Sequence, residues 1–129
     1  MLELQQLRVG YPGRTCIGDL SLRVAPGRLV VILGANGVGK TTLLRTLAGL
    51  IAPLGGAVQL AGRAMASMSA RERAQSLSLA LTEDTSAFAG TVRELIQLGR
   101  HPYRGRFAGA SVEEEAWTER AAEALQIRA

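Results

Sequence analysis

Leu2 and Leu4, and further along Leu20, Leu22 and Val24, alternate with polar positions. This is the period-2 pattern of half-buried antiparallel strands, and "YPGRT" between them supplies Pro12 and Gly13 as a turn. A small β layer is therefore predicted. The stretch "RLVVILG", residues 28–34, is different: leucines and β-branched residues run without alternation, as in a strand buried on both faces of a parallel sheet. Leu43, Leu44, Leu47 and Leu50 then recur at helical spacing, and "GLIAP" provides Gly49 and Pro53 as helix stops. "GGAVQLAGR" from Gly55 reads as a short strand between glycine turns, and "SLSLAL" from Ser76 as another, largely buried one.

Three later segments share one helix-start signature, a Ser or Thr with Glu three residues on: Ser69 with Glu72, Thr91 with Glu94, and Ser111 with Glu114. Three helices are predicted from them. The last, over about residues 111–127, is expected to bury Val112, Ala116, Ala121, Ala124 and Leu125 on one side. Glu113, Glu114 and Glu115 fall in its first turn, where the positive end of the helix favours them.

Charge and composition narrow the class only a little. The 129 residues carry a net charge of +4, with 47% hydrophobic and 20% charged residues, as in an ordinary globular domain. No run approaches the unbroken apolar length of a bilayer span, and the N-terminal residues lack the pattern of a secretory signal, so a cytosolic setting is expected. The arginines are scattered without a basic run, which predicts anionic ligands and no nucleic-acid partner. The lone Cys16 reads as a packed thiol, Trp117 as packing, and His101 as a solvated loop residue. Arg100, His101, Tyr103, Arg104 and Arg106 form a basic, aromatic-bearing loop.

One lysine, Lys40, stands among fourteen arginines. Gly34, Gly39, Lys40 and Thr41 fit G-x-x-x-x-G-K-[ST], a loop whose glycines let backbone N–H groups turn inward on a phosphate while the next helix adds its positive end. A lysine ammonium is a compact charge on a long stem that reaches the β- and γ-phosphates; a guanidinium is bulkier and forked. Positions that need only charge have become arginine, and the one that needs lysine geometry has not.

With "VAPGRLVVIL" before it and "APLGGAVQLAGR" after it, "GANGVGKTTLLRTLAGL" closely resembles the ATP-binding subunits of ABC transporters, and the resemblance runs through nearly the whole chain. Within that family, "TVRELIQLGRHPYRGRF", residues 91–107, is similar to the importers of iron-siderophores, haem and cobalamin. The resemblance implies an α/β P-loop NTPase fold: a RecA-like core with a small antiparallel β layer over about residues 1–90, then the start of a helical subdomain over about 91–129. The fold is incomplete, because the resemblance covers only the N-terminal half of such subunits.

It also implies ATP and Mg²⁺ as cofactors. Tyr11 matches the aromatic residue that stacks on adenine. Asn36, Gly37, Val38, Gly39, Lys40, Thr41 and Thr42 match the phosphate-binding turn, with the Thr41 hydroxyl on Mg²⁺. Where the family has a glutamine that contacts Mg²⁺ and the attacking water, this sequence has "LTEDTS", and Glu83 is the nearest match. A carboxylate there binds Mg²⁺ but repels the γ-phosphate. The family's signature loop, its acidic strand end and its later switch histidine have no counterpart in the sequence, so binding without efficient hydrolysis is expected of this chain alone. The implied partners are transmembrane permease subunits and a second copy of the ATP-binding subunit, on the inner face of the cell membrane. The competing reading is a non-hydrolysing nucleotide-binding module; a small-molecule kinase lacks an evident acceptor site.

Overall fold

The computed structural model describes residues 1–80, 89–104 and 112–127. The chain divides into two units, Met1–Leu79 and Ala80–Ala129. In the first, β1 (Leu2–Tyr11), β2 (Arg14–Val24), β3 (Gly55–Leu60) and β4 (Arg63–Ala64) form one antiparallel sheet in the order β2-β1-β3-β4. The predicted hairpin is present: Tyr11 pairs with Arg14 across Pro12 and Gly13, and Leu2 with Val24. Leu4, Leu7 and Val9 of the inner strand β1 are buried with Val58, Met65, Met68 and Leu43 of helix α1 (Lys40–Leu47). Each such aliphatic side chain contributes about 2 kcal/mol on burial, so this cluster is what seats α1 on the sheet.

Helix α1 stops where Gly49 predicts. Gly49 N–H donates to Thr46 O at 3.0 Å and Leu50 N–H to Arg45 O at 2.9 Å, the paired bonds of a Schellman stop. Helix α2 (Ala70–Ser76) opens on the predicted box, with Ser69 and Glu72 each accepting from the other's backbone N–H.

Two predicted strands do not form. Residues 28–34 have no strand structure, and Leu29 and Leu33 are 90% and 87% exposed. A parallel strand needs hydrogen-bonded neighbours and cover on both faces, and no strand among the described residues pairs with this run. Its side chains line an open apolar groove of about 570 Å³ with Leu20, Leu22 and Leu44. The stretch from Ser76 departs as well: Ser76 closes α2, residues 77–80 are irregular, and Leu81 lies outside the described residues. The box at Ser69 commits these residues to helix locally, whereas a strand would need a distant partner.

The second unit holds α3 (Val92–Leu98), a 3-10 turn (His101–Tyr103) and α4 (Val112–Ala124). Thr91 and Glu94 make the predicted box at the start of α3. Arg93 ties α3 to α4 through Glu119 at 2.6 Å and Glu115 at 3.5 Å. The buried face of α4 is not the predicted one: Glu114, Thr118 and Ala122 are buried, while Val112, Ala116, Ala124 and Leu125 are exposed. Val112 and Ala121 are about two and a half turns apart and so lie on opposite sides, and the predicted set was never one stripe. Glu114 accepts instead a part-buried bond from Arg104 Nε at 2.9 Å, and Thr118 Oγ1 donates to Glu114 O at 2.9 Å. Ser111, the other half of the third box, lies outside the described residues, as does Arg106. Trp117 is 44% exposed and carries the guanidinium carbons of Arg120 and Arg100 at 4.3 and 5.1 Å from its ring centre. Among the described residues no helix is long and apolar enough to cross a membrane.

Candidate functional site

Gly39 ends the glycine-rich loop and caps α1, at φ 109° and ψ 10°, a conformation that side-chain-bearing residues avoid. A Cβ there would come 2.8 Å from the Cβ of Cys16 on β2, so the loop backbone lies directly against that strand. Gly37, at φ 80°, makes a second reversal two residues earlier. Reversals of this kind let successive amides converge on an anion. Lys40 Nζ donates to Gly34 O at 2.7 Å and to Ala35 O at 2.8 Å, which folds the lysine back over the loop that precedes it.

The helix start itself is open. The first turn closes with Leu43 N–H on Gly39 O at 2.8 Å. The amides of Lys40, Thr41 and Thr42, which come before it, are those a helix leaves over at its N-terminus. No side chain caps this end, and its first turn contains no acidic residue.

A cavity of about 390 Å³ brings Tyr11, from the end of β1, together with Asn36, Gly37, Gly39, Lys40, Thr41 and Thr42. Val38 does not line it: it is 48% exposed, and its Cγ1 lies 3.0 Å from where a Cβ on Gly34 would be. Glu83 lies outside the described residues. Two residues given no role by the sequence, Arg14 and Cys16, line the cavity too. Both follow the turn that Pro12 and Gly13 mark, and the signal that could have found them is the hairpin register, which sets Arg14 opposite Tyr11.

The lining fits a polyphosphate. Among the described residues its charged members are the cations Arg14 and Lys40, with no carboxylate, and the open helix start faces an anion favourably. Tyr11 is 46% exposed, which leaves a ring face free to stack on a base. No cluster of three His, Cys, Asp or Glu exists among the described residues. A Mg²⁺ there would be held largely by phosphate oxygens and water, and the Thr41 hydroxyl is one of the side-chain oxygens this wall offers.

A glycine-rich loop running into an open helix N-terminus, with a lysine in the first helical position, defines a phosphate-loop nucleotide-binding fold. A family model described as ABC transporter matches residues 17–129, and the chain belongs to that family. It is 39% identical over 127 residues to the probable siderophore transport system ATP-binding protein YusV of Bacillus subtilis, covering 98% of this chain and 46% of that protein. It is 41% identical over 103 residues to the hemin import ATP-binding protein HmuV of Gloeobacter violaceus, covering 80% of this chain and 38% of that one. A solved structure of an ATP binding subunit of an ABC transporter matches with a TM-score of 0.62 at 27% identity, over 88% of this chain and 45% of that one. The chain thus spans less than half the length of these relatives. The α/β P-loop fold class read from the sequence is the one the family shares.

Proposed function

We propose that this chain is the nucleotide-binding N-terminal part of an ABC importer's ATP-binding subunit, with an iron-siderophore or a related metal chelate as cargo. The observation that carries the reading is the uncapped, acid-free start of α1 sharing one cavity with Lys40 and Tyr11. The cargo class rests on the relatives' names, which specify siderophore transport and hemin import. The partners in this reading are those the family resemblance implies: permease subunits in the membrane, and a second copy of the subunit that completes the nucleotide site. Residues 1–90 form the β layer and phosphate-loop core in this reading, and residues 91–129 begin the helical subdomain.

The residues take these roles. Tyr11 stacks on the base. The loop amides around Asn36, Gly37, Val38 and Gly39, with those of Lys40, Thr41 and Thr42, bind phosphate oxygens. Lys40 exchanges its bonds to Gly34 O and Ala35 O for phosphate oxygens, so the loop is held ready before the ligand arrives. The Thr41 hydroxyl ligates Mg²⁺, and Glu83 stands nearest the family's glutamine position. Bound MgATP supplies the energy of transport; the chain supplies binding and orientation.

For this chain alone a second reading, binding without turnover, has its own support. Among the described residues, no carboxylate or imidazole lines the cavity to deprotonate an attacking water. The test is a phosphate-release assay beside a binding titration. Saturable MgATP binding with no release is expected. Release abolished by Lys40→Ala would overturn the absence of turnover, and no MgATP binding at all would overturn the nucleotide reading.

A further inference from the structure

From the hairpin that carries Tyr11, we infer that Arg14 is a second cation of the nucleotide site, binding the polyphosphate at the end nearer the base. The inference rests on the nucleotide reading above. Tyr11 and Arg14 are cross-strand partners and both line the cavity, so an aromatic ring and a guanidinium share one wall with the loop and Lys40. A register shift follows at once: Gly10 pairs with Thr15 and Val9 with Ile17, which leaves Cys16 as an extra residue in β2. Bulges re-aim the side chains around them, and here Arg14 and Cys16 both line the cavity. Cys16 sets the scale, because it packs against Gly39 of the phosphate loop, and Arg14 lies two residues, about 7 Å, along the strand from it.

Charge points the same way. A triphosphate brings several negative charges, more than Lys40 alone balances, to a wall whose charged members among the described residues are Lys40 and Arg14. Among the described residues none pairs with the guanidinium of Arg14, so it is available without breaking an existing ion pair. Its planar fork suits two phosphate oxygens, which a lysine ammonium does not match.

The experiment is a titration of the full chain and its Arg14→Gln and Arg14→Lys variants with MgATP at low and high salt, with circular dichroism as the check on folding. Arg14 is exposed at the end of a hairpin, so both variants are expected to fold. Arg14→Gln should weaken MgATP by about tenfold and flatten the salt dependence, and Arg14→Lys, which keeps the charge but not the fork, should recover only part of the loss. Affinity of Arg14→Gln within about twofold of the unaltered chain would overturn the inference. So would a loss that Arg14→Lys shares in full, or one that leaves the salt dependence unchanged. An unaltered chain that binds no MgATP would bring down the nucleotide reading and this inference together; normal binding with an indifferent Arg14→Gln would bring down this inference alone.

Discussion

Helices α2 and α3 begin in one way and α1 in another. At α2, Glu72 accepts from Ser69 N–H at 2.8 Å while Ser69 Oγ accepts from Glu72 N–H at 3.2 Å. At α3, Thr91 and Glu94 do the same at 2.7 and 3.2 Å. The chain's own carboxylates thus take the positions an anion would occupy. Their acidity shows it: the Arg63 guanidinium, then the Ser69 amide and hydroxyl, hold the Glu72 carboxyl at about 2 against an ordinary 4.5. The amide and hydroxyl of Thr91 hold Glu94 below its ordinary value. At α1 the cap is Gly39, with no side chain and no acid behind it. A helix start left without internal acceptors, beside a lysine and a cavity, is open to the acceptor oxygens of a ligand, as the nucleotide reading proposes.

The largest effect should come from closing the open end with bulk. Gly39→Ala forces a side chain to φ 109° and onto Cys16, which should cost about 2 kcal/mol and abolish measurable MgATP binding. Paired denaturant and nucleotide titrations check both. A subtler change converts α1 into the other type. Thr42→Glu puts a carboxylate at the position Glu72 and Glu94 hold in their boxes, and should weaken MgATP by about tenfold while stabilising the helix by a few tenths of a kcal/mol. Opposite signs in binding and thermal stability are the expected result; a loss of both would mean the end was not open to begin with.

Removing a self-cap should do the reverse. Ser69→Ala should cost about 1 kcal/mol in a denaturation curve and leave MgATP affinity unchanged. The smallest effect is one of pH. Because Glu72 and Glu94 titrate lower when folded, their capping contributes fully above the ordinary carboxylate value of 4.5 and is lost as pH falls below it, for Glu72 toward about 2. Amide protection, measured as exchange relative to the unstructured rate at each pH, should therefore fall on acidification at the starts of α2 and α3, while the start of α1, which has no acid in its first turn, should show no such step.

The parts of the molecule legible in the sequence are those fixed within a few residues. Gly39 and Lys40 announce the loop because only glycine accepts the reversal and only lysine has the reach; Ser69 with Glu72 and Thr91 with Glu94 announce their helices because each box closes on itself. The hairpin around Pro12 and Gly13 was legible for the same reason. What depends on distant partners was not. Residues 28–34 look like a buried strand in isolation, but a strand exists only with neighbours, and none among the described residues pairs with them. The buried face of α4 is set by Arg104 reaching Glu114, a polar contact that an apolar pattern cannot show. Arg14 escaped notice because its residue type is at home in any turn, and only the register reveals what stands opposite it.

The central claim is that the open start of α1 and Lys40 together bind a triphosphate. Equilibrium titration of the full chain with MgATP, beside its Lys40→Ala variant, tests it most directly. Saturable binding of one nucleotide per chain, weakened roughly a hundredfold in the variant with the fold intact, is the predicted result. Equal binding by both proteins, or none by the unaltered chain, would contradict it.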